Sequence, residues 1–281
     1  MLSYRHAFHA GNHADVLKHL VQVLVLQYLV QKEGKPLCYI DTHAGAGSYG
    51  LQSAFASKNR EFDSGIARLW QRTDLPRALD SYVSLVRSFN PAGHLVQYPG
   101  SPAIAAKILR AGHRLHVCEL HPEDGTRLAR WAAHDRRIKV QQDDGFTALK
   151  ALLPPLEKRA LVMIDPPYEV KADYLSVISA LQLATKKFAT GTYALWYPLL
   201  EREAVGTLVK KLETLPVKSL LVELPVQAAR EGMYGSGMFI INPPWVLQQQ
   251  LQGCLPYLQE VLASPGAQPW RMCSNSADSK R

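Results

Sequence analysis

The chain has 281 residues, 47% hydrophobic and 20% charged, the balance of a folded protein with room for one large domain or one domain carrying an insertion. A formal charge of +8 tilts it toward a polyanionic partner such as nucleic acid. Cys38, Cys118, Cys254 and Cys273 make no C-x-x-C pair, the longest apolar stretch, 20–26, is broken by Gln22, and the N-terminus has no apolar signal core; a disulfide scaffold, a membrane span and an export route are thereby argued against, and a reducing, cytoplasmic home is expected.

In chain order, Asn12 reads as the N-cap of a long helix with Asp15 in its first turn. Val16, Leu20, Leu24 and Leu29 form its sheet-facing side, and Gly34 lies past its end. A strand over 36–41 runs into Asp41-Thr42-His43-Ala44-Gly45-Ala46-Gly47. Between 50 and 98 the strand–helix rhythm breaks: 65–71 and 78–88 read as amphipathic helices with Arg68, Arg72, Arg77 and Arg87, an inserted helical subdomain. Ser101-Pro102 reads as an N-cap and first helical residue, with Gly112 as the stop. Strands over 115–120, 138–142, 160–165, 192–197, 219–224 and 237–241 bring the total to seven, so an α/β fold on a mostly parallel sheet is predicted. From 263 onward Ser, Pro and Gly dominate, and a loose tail is expected.

The run Ala160-Leu161-Val162-Met163-Ile164-Asp165-Pro166-Pro167-Tyr168 ends a buried strand on an acid, two prolines and a ring. An exocyclic amine of adenine or cytosine is a poor nucleophile because its lone pair is delocalised into the ring. Acceptors aimed at its N–H bonds free that pair. Asp165 offers a carboxylate, and Pro166 a carbonyl held by the stiffness of two prolines. Tyr168 offers a face on which an extruded base can stack. Read alone, Asp-Pro-Pro is also a common turn. In open α/β sheets, however, ligands sit beyond the carboxyl ends of the strands, and three further strand ends carry matching features. Gly45 and Gly47 permit a close backbone approach, Glu119 suits ribose hydroxyls, and Asp144-Gly145-Phe146 suits an adenine amine and its ring. The G-x-G lacks a third glycine and there is no G-K-[ST] loop, which argues against a pyrophosphate. A ligand with adenine and ribose but no phosphates is implied; S-adenosylmethionine meets that description.

These ordered motifs resemble the Rossmann-like amino methyltransferases. Met1-Leu2-Ser3-Tyr4-Arg5-His6 with Phe8-His9-Ala10-Gly11-Asn12-His13-Ala14-Asp15-Val16-Leu17-Lys18-His19, together with the Asp41 to Gly47 motif, resembles more narrowly the bacterial 23S ribosomal RNA adenine-N6 methyltransferase family RlmJ. The likeness runs from Met1 to about Leu262. It implies a Rossmann-like S-adenosylmethionine-dependent fold, with 1–49 and 99–262 as the catalytic domain around the 50–98 insertion. It implies Asp165 as catalytic acid and a cofactor pocket lined by His19, His43, Ser101, Glu119, Asp144 and Asp165. It also implies Tyr4 as a contact to substrate RNA, with His6 and Lys18 beside the active site. To these the residue reading adds Pro166 and Tyr168 in the catalytic set and Gly45 and Gly145 around the cofactor.

His6, His9, His13 and His19 fit no common zinc spacing, and transfer of a sulfonium methyl to an amine requires no metal. Asn242-Pro243-Pro244-Trp245 mimics a second amine-binding motif, but no cofactor motifs lead into it, and a turn that starts a helix is expected. The expected activity is methylation of an adenine N6 in 23S ribosomal RNA by a metal-free, cytoplasmic monomer, with Arg5, Lys18 and the basic residues of the insertion on phosphates. Adenine methylation of DNA, including a part in the use of external DNA, is the first alternative. A non-enzymatic RNA-binding protein is the second.

Overall fold

The computed structural model describes residues 6–229 and 232–276; Tyr4 and Arg5 lie outside them. Helix α1 (His13–Leu29) leads into β1 (Cys38–Asp41). The segment that follows holds β2 (Ser48–Gly50), α2 (Ala54–Asn59), α3 (Ile66–Trp70), α4 (Arg77–Arg87) and β3 (Gln97–Pro99). The alternation then resumes with α5 (Ser101–Ile108), β4 (Arg114–Cys118), α6 (Pro122–Ala132), β5 (Ile138–Gln141), α7 (Gly145–Leu152), β6 (Ala160–Ile164) and α8 (Lys171–Lys187). It closes with β7 (Thr192–Leu199), α9 (Glu203–Glu213), β8 (Ser219–Pro225), β9 (Gly235–Ile241), α10 (Leu247–Leu262) and β10 (Arg271–Asn275).

The main sheet has the order β10-β8-β9-β7-β6-β1-β4-β5. β1, β4, β5, β6 and β7 are mutually parallel, and β9 runs antiparallel between β7 and β8, so β8 points the same way as β7. Strands covered on both faces read as continuous apolar runs, which is why all seven expected strands are found within a residue or two of their expected limits. Successive side chains alternate between two cores: Tyr39, Leu161 and Met163 face α1, α4, α5 and α10, whereas Ile40, Val162 and Ile164 face α7, α8 and α9.

The expected loose tail is corrected. Arg271–Asn275 pair antiparallel with β8 as an eighth strand, covering an edge whose N–H and C=O groups would otherwise stand unpaired. Arg271 forms ion pairs with Glu213 and Glu223, and buried Glu223 also accepts from Tyr197 Oη at 2.8 Å. Ser101 is likewise not the N-cap of its helix: Gly100 is, and Ser101 takes the first helical position. Asn242 holds a turn with φ of +52°, donating to the carbonyls of Ala189 and Gly191, and the helix after it starts at Leu247 rather than at the prolines.

Residues 50–98 lie against α1 and α10, and their Ile66, Leu69, Leu79, Tyr82 and Val86 continue the core that holds Leu20 and Leu24. Three of the arginines expected to hold phosphate fasten this segment instead. Arg68 donates to the carbonyls of Val261 and Leu262 at the end of α10, Arg87 to those of Trp70 and Arg72, and Arg72 bonds Tyr257 and Asp74. Helix ends leave carbonyls without intrahelical partners, and guanidinium forks satisfy them.

Arg271→Ala removes the cation facing buried Glu223 and the ion pairs of β10, whose backbone pairing with β8 remains. The expected loss is about 1–2 kcal/mol of unfolding free energy in a urea titration, with the sheet otherwise intact.

Candidate active site

The site is built first from the start of α1. Asn12 caps the helix, its Oδ1 accepting from the Ala14 and Asp15 amides at 3.0 Å. Asp15, 1% exposed, then gathers three donors: the Gly11 amide at 2.8 Å and His6 Nε2 at 2.9 Å on Oδ2, and Lys18 Nζ at 2.8 Å on Oδ1. Lys18 reaches onward to Asp165 Oδ2 at 2.5 Å. A carboxylate–ammonium–carboxylate chain thus crosses from α1 to the loop after β6. Burial alone would lower the Lys18 pKa, but Asp15 and Asp165 outweigh it and raise it well above its ordinary value. Burial would raise that of Asp15, yet His6, Lys18 and His19 hold it well below the usual carboxylate range.

Beyond β1 the backbone turns through Gly45 at φ of +59°, and a Cβ there would lie 2.0 Å from Tyr49 Oη. The Gly45 amide donates to Glu119 Oε2 at 2.7 Å, and the His121 amide to Glu119 Oε1 at 2.8 Å. Each of these oxygens keeps a second lone pair for a ligand hydroxyl. Burial pushes the Glu119 carboxyl up, against those two amides. Asp144 caps α7 through the Phe146 and Thr147 amides, and Gly145 sits so close beneath the first strand's loop that a Cβ would fall 1.9 Å from the Thr42 carbonyl oxygen. Ser101 Oγ donates to buried Asp41 Oδ2 at 2.6 Å, beside Tyr39 Oη at 2.7 Å.

These loops enclose a cleft of about 320 Å³, within the range of small-molecule sites. Its wall includes His6, Lys18, His19, His43, Gly45, Ser101, Glu119, Asp144, Gly145 and Asp165, so every expected cofactor residue and two of the expected RNA residues meet in one place. Sequence reasoning passed over Thr42, Tyr49, Leu120, His121, Asp124, Pro167, Asp173 and Ser176, which also line it. Asp15 was read only as a first-turn acid, although its i,i+3 spacing to Lys18 was a visible signal.

Three expectations are corrected here. Lys18 is 5% exposed and clasped by two carboxylates, so it is not offered to an RNA phosphate. Tyr168 does not present its face to the cleft: it is 5% exposed, packs on Tyr174 and Trp196, and donates its hydroxyl to the Trp196 carbonyl at 2.8 Å. With φ of +53° at Tyr168, the loop folds the ring inward and leaves Pro167, not Tyr168, beside Asp165. Pro166 is buried and is not part of the cleft wall. Among the described residues, no group of three His, Cys, Asp or Glu side chains is arranged to hold a metal.

The residues fit S-adenosylmethionine. His19 donates or accepts at Nδ1 with Tyr98 Oη at 2.8 Å, while its buried Nε2 has no partner; a polar group buried so completely calls for one. His43 stands edge-on to Phe146 with ring centroids 5.1 Å apart, a wall suited to a flat ring. The surrounding acids suit a cationic ligand. A Rossmann-like sheet with a glycine-floored, acid-rimmed cleft at its strand ends defines an S-adenosylmethionine-dependent methyltransferase.

A family model described as ribosomal RNA large subunit methyltransferase D, RlmJ, matches residues 34–272. The chain is 49% identical over 269 residues to ribosomal RNA large subunit methyltransferase J of Escherichia coli (strain K12), covering 95% of this chain and 96% of that one. It is 47% identical over 274 residues to the protein of the same name from Haemophilus influenzae, covering 96% and 97%. A crystal structure of a protein from Legionella pneumophila superposes with a TM-score of 0.89 at 37% identity, over 95% of this chain and 99% of that one. The chain belongs to the RlmJ family.

Breaking a buried ion chain leaves a charge without its partner, at about 3–5 kcal/mol. Asp15→Asn should therefore lose stability of that order in urea unfolding. A double-mutant cycle with Lys18→Met should show coupling of about 1 kcal/mol or more.

The histidines make a second prediction. Burial lowers the His19 pKa to about 3, and those of His13 and His43 to about 4. All three are uncharged in the folded protein at neutral pH and return to about 6.5 on unfolding. Between pH 6.5 and 4 the unfolded chain therefore binds protons that the folded chain refuses, and stability falls as pH falls. His19→Asn should flatten the slope of unfolding free energy between pH 6.5 and 5 by up to about one proton; an unchanged slope would contradict a neutral, buried His19.

Proposed function

We propose that this chain transfers the methyl group of S-adenosylmethionine to the N6 amine of an adenine in 23S ribosomal RNA, acting as a cytoplasmic monomer without a metal. The observation that carries the N6 assignment is the state of Asp165. Its Oδ2 is held by Lys18, its Oδ1 takes no hydrogen bond from the described residues, and the residue lines the cleft. No helix among the described residues is long and apolar enough to cross a membrane, consistent with an enzyme that meets its RNA in the cytoplasm.

The chemistry follows from these positions. When bound, the cofactor would supply an electrophilic methyl on a sulfonium, whose S–C bond breaks as the N–C bond forms, leaving a neutral thioether. Lys18 fixes the Asp165 carboxylate from behind, so that Oδ1 accepts one N–H of the target amine in a set direction. That bond draws the nitrogen toward a tetrahedral shape and frees its lone pair for in-line attack. Once the N–C bond has formed, the surplus proton on nitrogen passes to Asp165 Oδ1 or to water in the cleft. Pro167, rather than Tyr168, gives the apolar surface against which the extruded base rests. Glu119, Asp144 and His19 would hold the ribose, adenine and charged tail of the cofactor, and the Gly45 turn would let the backbone approach it.

The test uses purified protein, labelled S-adenosylmethionine and ribosomal RNA from cells lacking the gene, with the labelled base then mapped. Label on an adenine N6 of 23S RNA is expected, with far less on duplex DNA; label on a cytosine or a ribose would overturn the assignment. Asp165→Asn should retain the fold and lower the transfer rate by about 10²–10³-fold. A wild-type rate in that variant would remove Asp165 from the mechanism.

A further inference from the structure

Six strands of the main sheet, β1, β4, β5, β6, β7 and β8, run in one direction, so the sheet has two chemically distinct ends. The end with the cleft carries Glu119, Asp143, Asp144, Asp165, Glu169, Asp173, Glu201 and Glu203 against exposed Lys171 and Arg202, and Lys18 there is taken up by its two carboxylates. At the other end the loops leading into the strands carry Lys32, Lys35, Arg110, Arg136, Lys158 and Lys218, all exposed and none in an ion pair among the described residues. The last turns of α8 and α9 add Lys186, Lys187, Lys210 and Lys211, of which Lys187 also donates to the exposed Lys150 carbonyl. Of the acids at that end, Asp135, Glu157 and Glu213 are already paired with Arg137, Arg114 and Arg271, which leaves Glu33.

Helix dipoles favour cations in a last turn by about 0.3–1 kcal/mol each, which accounts for the four lysines of α8 and α9. They do not account for the six residues in the loops. α7, α8 and α9 lie side by side on one face of the sheet, so Lys158, the Lys186–Lys187 pair and the Lys210–Lys211 pair follow one another along one rim.

We propose that this rim is a second RNA-binding surface, one that grips backbone phosphates while the cleft end handles the target nucleotide. The inference rests on the RNA reading above. The acids that suit a cationic cofactor repel phosphates from the cleft, and phosphate contacts supply most of the sequence-independent affinity for RNA. The strands between the two ends are only about 15–25 Å long, so an RNA of ribosomal size reaches both.

Two variants test this. One carries Lys186→Gln, Lys187→Gln, Lys210→Gln and Lys211→Gln; the other carries Lys35→Gln, Lys158→Asn and Lys218→Gln, Asn being chosen because Lys158 has a φ of +54°. Folding is checked by thermal melting and by S-adenosylmethionine affinity in calorimetry. Binding to a 23S RNA transcript is followed by anisotropy from 50 to 200 mM salt, and KM and kcat are measured on the same transcript. Each lost phosphate contact should reduce the salt slope by about 0.7–0.9. The first variant should bind RNA about tenfold or more weakly, with KM raised in proportion and kcat within about twofold of wild type. The second should shift in the same sense. Unchanged affinity and slope in both folded variants would overturn the proposal, as would loss of binding to phosphatidylserine vesicles with RNA affinity intact. Because affinity is read without turnover, a protein that binds RNA through this rim but methylates none would refute the proposed activity and not the surface.

Discussion

The active site depends on one buried interaction, the ammonium of Lys18 held between Asp15 and Asp165. Taking three ions out of water costs several kcal/mol apiece, and their attraction offsets that only when the geometry is tight and the remaining lone pairs are used. The protein meets both conditions by giving α1 two tasks. Val16, Leu17 and Leu20 sink the helix into the core, which fixes the Lys18 backbone. The turn before it directs the Gly11 amide and His6 onto Asp15. The Asp165 carboxylate is thus positioned by a helix on the far side of the sheet from the core that anchors the loop bearing it. Motion of either face would be felt at Asp165 Oδ1.

The same reasoning explains what one sequence discloses. Strands buried on both faces must be apolar, and ligands of a parallel sheet gather at its carboxyl ends, so seven of the main sheet's strands and the residues expected around the cofactor are legible. The eighth strand was not, because Arg271-Met272-Cys273-Ser274-Asn275 is a half-polar edge segment stabilised by pairing with β8 rather than by its own pattern. Nor is side-chain direction encoded in spacing. Tyr168 follows two prolines in a way that suggests a ring over a base, yet its positive φ and its bond to the Trp196 carbonyl turn it into the core. Ser101 shows the same limit. Its hydroxyl belongs to Asp41, sixty residues away along the chain, and no local cap rule could have named that partner.

The arginines of 50–98 carry a related lesson about charge. Read as a line they suggest a phosphate-binding insertion; folded, Arg68, Arg72 and Arg87 are spent on carbonyls, on Asp74 and on Tyr257. A side chain that completes a helix end or a buried acceptor cannot be withdrawn for a ligand without losing that bond. The cations available to RNA are those the fold leaves without work, and these are sorted by topology rather than by sequence neighbourhood.

That sorting follows from the chemistry of the cleft. A site that binds a cationic cofactor at strand ends accumulates carboxylates, and in the proposed site Glu119, Asp144 and Asp165 would not be exchanged for lysines without giving up that binding. An enzyme that must nonetheless approach a polyanion then has to place its attraction where those carboxylates are distant. At physiological salt the Debye length is about 8 Å, shorter than the strands that separate the two ends. Screening lets the two fields act almost independently, so the acidic cleft does not cancel the basic rim. The +8 of the whole chain therefore understates the charge that an approaching RNA would meet at one end and overstates it at the other.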